Sequence, residues 1–170
     1  MSVMMRVGLA ILFGLPMVLL IATMWGARPK LGPRHDVAYA EAVFGGVVPY
    51  YDVLTSRRYV YLGNPTRLSC DFVVVRMAPD PSLQPPRPDF ARPDAAQFGG
   101  LWQPSPGINS LTARASPLDH CQTVMFPGVA DDLRAALELP DSWVARDPLG
   151  RTMFIYAPGA RMAARIGVVM

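Results

Sequence analysis

The sequence predicts a small α+β domain that follows a single transmembrane helix. Three observations support this: a long uncharged segment near the N-terminus, short β-rich runs bounded by turns, and one clear helical period near the C-terminus. We expect a mostly antiparallel sheet of about five strands, one or two helices and a long proline-rich excursion. The predicted organisation is a tail (1–6), a transmembrane anchor (7–27), a basic spacer (28–35) and an extramembrane domain (36–170) with an irregular arm (79–117).

Residues 7–27 are 21 consecutive residues without a charge. As a helix they would span roughly 31 Å, which matches the hydrocarbon core of a bilayer. Pro16 is expected to kink this helix, and Trp25 falls where an interfacial aromatic residue belongs. The alternative is a cleaved signal peptide, but the apolar stretch is longer than is usual and Trp25 would occupy the −3 position of a cut after Ala27. We therefore expect an uncleaved signal-anchor.

Two observations disagree about the side of the membrane on which the domain lies. Residues 28–34 carry three basic side chains and only Arg6 precedes the anchor, so the positive-inside rule would keep the domain in the cytoplasm. The two cysteines, Cys70 and Cys121, are instead typical of one disulfide in an oxidising compartment. The excess of Arg over Lys suggests a bacterial chain. We expect a single-pass protein of the bacterial inner membrane with a periplasmic domain, against the charge count.

The first half of the domain shows one helix and two strands. Asp36 is placed to cap a helix over residues 37–44, which Gly45 and Gly46 would end. Residues 57–62 and 70–77 predict strands, and the unbroken apolar run inside the second indicates a central strand buried on both faces.

The arm, residues 79–117, contains nine prolines and no periodicity. Proline removes backbone donors, so we expect neither helix nor central strand here. Phe90, Phe98 and Trp102 give the arm apolar anchors that a pure linker would not need. We predict an extended segment that lies on the domain or on a partner, with these three residues as candidate partner contacts.

The second half of the domain begins with a predicted strand over residues 121–126. Residues 129–139 predict an amphipathic helix because apolar side chains recur with a helical period. Residues 143–146 and 151–156 flank an Asp-Pro-Leu-Gly sequence that matches a type I turn, so they predict a hairpin. The apolar tail 166–170 could add a strand or pack at the membrane.

The residues that could carry chemistry are few. If Cys70 and Cys121 meet, then Asp71, Asp119 and His120 are brought near them, and thiolate, imidazole and carboxylate ligands suit zinc. A structural disulfide between Cys70 and Cys121 is the favoured interpretation, because adjacent His120 and Cys121 cannot easily both bind one metal ion. No nucleophile elbow, phosphate-binding loop or zinc-protease motif is present in the sequence.

An aromatic group on one predicted strand offers a further surface. Tyr59 and Tyr61 share a strand face, which packing in the core or an interface would explain, and a pocket built from them and the arm could bind a ligand. The net charge of +3 is small and scattered, which argues against a nucleic-acid partner.

The sequence therefore favours a non-enzymatic accessory or scaffold subunit of a larger inner-membrane complex, with the bilayer and other integral membrane subunits as partners and no cofactor. The alternative is a membrane-tethered envelope enzyme or metal-handling protein that uses Cys70, His120 and Cys121.

Overall fold

The computed structural model of the chain describes residues 35–62, 68–87, 98–105 and 116–169. Within these ranges, three α-helices pack on one six-stranded antiparallel sheet, which is the α+β class that the sequence predicts. The strands are β1 (Tyr50–Tyr61), β2 (Ser69–Met77), β3 (Gln103–Pro104), β4 (Trp143–Arg146), β5 (Thr152–Ala157) and β6 (Met162–Val169), in the spatial order β1-β2-β6-β5-β4-β3. The helices are α1 (Val37–Phe44), α2 (Pro117–Cys121) and α3 (Val129–Leu137).

The predicted transmembrane helix, residues 7–27, and the candidate contact Phe90 lie outside the described residues. Within the described ranges, the longest helices are too short to cross a bilayer.

Helices cover both faces of the sheet. On one face, α1 packs against a cluster that contains Val73, Val75 and Met77 of β2. On the other face, α2 and α3 pack against a cluster that contains Phe72 and Val74 of the same strand. Because successive strand residues point to opposite faces, a strand that is covered on both sides needs an unbroken apolar run. This confirms the prediction of a central, fully buried strand.

The first helix and the C-terminal hairpin are confirmed in detail. The Asp36 carboxylate accepts the Tyr39 amide at 2.9 Å and so begins α1, and Gly45 follows its last residue. In the turn between β4 and β5, the Gly150 amide donates to the Asp147 carbonyl at 2.9 Å, and the Asp147 carboxylate accepts the Thr152 amide at 2.7 Å. Gly150 has a φ of +69°, which glycine adopts without strain.

The predicted strand over residues 121–126 is wrong. The chain there ends α2 and continues as a 3₁₀ turn, Gln122–Val124. The reason is a capping box. The Ser116 hydroxyl accepts the Asp119 amide, the Asp119 carboxylate accepts the Ser116 amide, and Pro117 occupies the first helical position. These start signals outweigh the β propensity of the residues that follow.

The sheet is also larger than predicted. β1 begins at Tyr50 instead of residue 57, and the arm contributes the two-residue strand β3, which pairs with the start of β4. The apolar tail forms β6, which pairs with both β2 and β5 in the middle of the sheet. Its position explains why Ala163, Ala164 and Ile166 are buried.

Candidate functional site

The two cysteines form the predicted disulfide. Cys70 lies on β2 and Cys121 is the last residue of α2; their Cα atoms are 5.7 Å apart and both residues are fully buried. The bond ties a helix to the sheet across 51 residues of sequence. Both sulphur atoms are used in this bond, so the alternative of a metal site at Cys70, His120 and Cys121 loses its two thiolate ligands.

The other members of the predicted cluster do not converge on the disulfide. Asp71 points to the opposite face of the sheet, where it contacts α1, and His120 is exposed on α2. Asp119 belongs to the capping box and to an ion pair with Arg134 at 3.3 Å. No group of three potential metal ligands occurs in the part of the chain that the structure describes.

A buried polar network crosses from α1 to the sheet. The Tyr39 hydroxyl donates to the Asp71 carboxylate at 2.9 Å, and the Arg165 guanidinium contacts both the Asp71 carboxylate and the Tyr39 hydroxyl. Asp71 and Arg165 have 14% and 18% of their side chains exposed, so the ion pair lies largely out of water. Gly167, opposite Asp71 on β6, leaves the space that the carboxylate fills; a Cβ atom there would collide with it.

A second arginine extends this network to the surface. The Arg58 guanidinium lies 4.4 Å from the centre of the Tyr39 ring and 3.5 Å from the Asp36 carboxylate. Burial raises the pKa of the Tyr39 phenol, the positive charge of Arg165 opposes this, and the negative charge of Asp71 adds to it. The phenol therefore stays neutral and acts as a donor, so the network is suited to fixing α1 on the sheet rather than to proton transfer.

Beyond this network lies the first candidate surface, which we call the tyrosine end. It is the end of the sheet where β1 and β6 finish and the β4–β5 turn lies. Among the described residues, its exposed side chains include Tyr59, Tyr61, Leu149, Arg151 and Val169; Tyr59 has 73% of its surface exposed and Leu149 70%. Most surface apolar residues of a small domain occur singly. The grouping at one end is therefore a candidate contact surface.

Tyr59 is held outward by a bulge. Two residues of β1, Arg58 and Tyr59, face the single residue Asp71 of β2, and Tyr59 has a φ of +54°. A non-glycine residue in the left-handed region is strained, and such residues cluster at functional sites. In this strained conformation, Tyr59 presents its aromatic ring to solvent.

The second candidate surface, which we call the groove end, lies at the opposite end of the sheet. There the proline-rich segment 82–86, the strap, runs over three aromatic side chains that donate hydrogen bonds to its carbonyl groups. Tyr156 donates to Ser82 at 2.7 Å, Trp143 to Leu83 at 3.2 Å and Trp102 to Pro86 at 2.8 Å. Proline-rich chains are held in the same way, by aromatic donors, when they bind peptide-recognition domains.

Between the strap and the turn at residues 47–49 is a groove of about 420 Å³. Val47, Val48 and Met77 contribute apolar surface to it, together with five prolines, and Tyr156 also lines it. Leu83 on the strap points away from the domain with 69% of its surface exposed. The groove is large enough for several side chains of an extended segment.

The predicted anchors of the arm turn inward. Phe98 is buried, with its ring centre 4.7 Å from that of Phe44 and 5.8 Å from that of Phe154. Trp102 is half-buried and packs on Phe98 at 5.6 Å. The arm was predicted to lie on the domain or on a partner. Phe98 and Trp102 pack on the domain, and the ring of Phe98 is buried there.

Comparison of the chain with protein-family models, with curated proteins and with solved structures gave no match to any of them.

Three important residues were missed from the sequence. Trp143 and Tyr156 were read only as strand residues, and Arg165 had no predicted role. A signal existed for the first two, because indole and phenol groups near a proline-rich segment are its usual donors. Arg165 gave no signal, since its partner Asp71 lies 94 residues away and depends on the strand register.

Proposed function

We propose that this chain is a single-pass protein of the bacterial inner membrane that acts as a non-enzymatic accessory or scaffold subunit of a larger membrane complex. Residues 7–27 form its anchor, and the α+β domain lies in the periplasm. The domain binds another subunit through the groove end, which receives an extended, apolar segment of that partner.

The groove end is the observation that carries this proposal. Its strap already shows how an extended chain is held there, through carbonyl groups bonded to aromatic donors. The adjacent groove of about 420 Å³ combines apolar side chains with the polar residues Asp80, Ser82 and Gln84, and the strap that lines it also carries the exposed side chain of Leu83. A preformed surface of this kind loses little conformational entropy when a partner binds.

The buried disulfide supports the periplasmic location. Disulfides persist in oxidising compartments and are rare in the cytosol. The bond is also consistent with a structural role, because both cysteines are fully buried and neither is placed to react.

The partner is tested by purifying the full chain from its native membranes in mild detergent. We expect it to co-purify with a defined integral membrane subunit. Pro79→Asp together with Gln84→Asp, which place two charges on exposed residues of the groove lining, should abolish the association while the disulfide and the melting temperature are retained. Tyr61→Ser, at the opposite end of the sheet, is the matched control and should leave the association intact. A wild-type chain that purifies as a monomer without a partner contradicts the proposal.

The location is tested separately with Leu101→Cys, because Leu101 is 89% exposed. A membrane-impermeant maleimide should label this cysteine in spheroplasts whose inner membrane is intact. Labelling only after lysis would place the domain in the cytoplasm.

A further inference from the structure

The tyrosine end has the side chains that favour a lipid–water interface. Tyr59 and Tyr61 expose 73% and 56% of their surface, and Leu149 and Val169 expose 70% and 41%. Tyrosine is enriched at the headgroup level of membranes because its ring is apolar and its hydroxyl is polar. Short aliphatic side chains beside such rings reach the boundary of the acyl chains.

The charges at this end suit an anionic surface. Arg151 is exposed beside the end of β6, and its carbonyl accepts the Val168 amide at 2.9 Å. The neighbouring acids are already engaged: Asp36 pairs with Arg58, and Asp71 pairs with Arg165. The Asp147 carboxylate accepts a backbone amide. At the groove end, in contrast, Asp52 and Asp80 are exposed.

The chain also limits how far the domain can move from a bilayer. Seven residues, 28–34, separate the proposed anchor from His35, which forms a bridge with Ser56 in the middle of β1. An extended chain of that length spans about 25 Å. A domain tethered this closely can reach the headgroups, and the tyrosine end offers them two exposed rings, two aliphatic side chains and the exposed cation Arg151.

We propose that the tyrosine end docks on the headgroups of an anionic bilayer. This inference rests on the proposed membrane anchor. Docking orients the domain so that the groove end, at the far side of the sheet, faces away from the lipid and is open to a partner. The competing occupant is a protein, which the experiment below separates from lipid.

The test uses the full chain in nanodiscs of phosphatidylglycerol and in nanodiscs of phosphatidylcholine, with hydrogen exchange measured by mass spectrometry. We expect amides of residues 57–61 and 149–151 to exchange about three- to tenfold more slowly on the anionic bilayer, and strap amides to exchange equally on both. Added salt should reduce the difference because it screens the contact between Arg151 and the phosphates.

Three variants are compared with the wild type. Tyr59→Ser, Tyr61→Ser and Arg151→Ser together should remove the protection, whereas Tyr51→Ser and Leu83→Ser, at the groove end, should preserve it. Arg151→Glu alone provides a milder second variant that should remove most of it. Equal exchange of the wild type on both bilayers would overturn the proposal, and so would protection that appears only when a partner protein is added.

Failure of the anchor would show differently. A chain that stays outside the nanodiscs contradicts the proposed function. The same chain is then mixed with phosphatidylglycerol vesicles: protection of residues 57–61 still supports lipid docking by this surface, and its absence overturns both proposals.

Discussion

The two ends of the sheet are stabilised in different ways. At the groove end, aromatic donors hold an extended strap, and the contacts are hydrogen bonds to backbone carbonyls. At the tyrosine end, a disulfide and a buried ion pair fix the helices on the sheet, and the aromatic rings point outward. Trp102, Trp143 and Tyr156 thus hold a segment of the chain at the groove end, whereas Tyr59 and Tyr61 are exposed at the tyrosine end. The difference indicates that the covalent and ionic links of the tyrosine end fix the helices on the sheet without using Tyr59 or Tyr61.

Removing the disulfide is expected to have the largest effect. Cys70→Ala with Cys121→Ala should reduce the free energy of unfolding by about 4 kcal/mol, because the bond closes a loop of 51 residues. Chemical denaturation of the purified chain measures this. Hydrogen exchange should rise first in α2 and at the start of β2, while the amides paired between β4 and β5 at the groove end stay protected. Equal loss of protection at both ends would show that the two ends do not differ in this way.

Breaking the buried ion pair should cost somewhat less. Arg165→Ala leaves Asp71 partly buried with only Tyr39 as its partner, and we expect a loss of about 3 kcal/mol. Arg165→Met combined with Asp71→Leu should recover most of that loss, since apolar replacements of a buried pair are often tolerated. Thermal or denaturant unfolding of both variants gives the comparison. A double variant as unstable as the single one would mean that the network does more than neutralise a buried charge.

Removing one tyrosine hydroxyl should affect stability at the groove end but not at the tyrosine end. Tyr156→Phe removes the donor to the Ser82 carbonyl, and we expect the free energy of unfolding to fall by about 1 kcal/mol, as measured by chemical denaturation. The matched change Tyr61→Phe removes a hydroxyl from an exposed side chain and should leave the free energy of unfolding unchanged. If Tyr156→Phe behaves like Tyr61→Phe, the strap does not depend on this bond.

The smallest expected effect is on the pH dependence of stability. Burial alone would raise the pKa of Asp119, but hydrogen bonds from Ser116 and the charge of Arg134 lower it below its usual value. A carboxylate whose pKa is lower in the folded state stabilises the fold above its unfolded pKa, near 4, and loses that contribution as the pH falls further. Asp119→Asn should therefore flatten the loss of stability below about pH 4. If the stability of the Asp119→Asn variant falls as steeply below pH 4 as that of the wild type, the Asp119 carboxylate does not contribute to the pH dependence.

Local signals in the sequence predicted much of the fold. Asp36 and Gly45 marked α1, and the Asp147–Gly150 turn marked the hairpin, because each depends on residues within one turn of chain. The error at residues 121–126 arose from giving apolar and β-branched residues more weight than the capping box at Ser116. The candidate surfaces were only partly predicted. The inward turn of Phe98 and the pairing of Asp71 with Arg165 depend on strand register, which no local pattern encodes.

The lateral borders of the sheet have a consequence for assembly. At one border, β3 has two residues, and Pro104 has no amide hydrogen to offer a neighbouring strand. At the other, bulges interrupt β1, and His35 occupies the position beside Ser56. In the part of the chain that the structure describes, neither border offers a long, regular strand to a strand from another molecule. These features disfavour edge-to-edge pairing of two copies of the domain through β1 or β3.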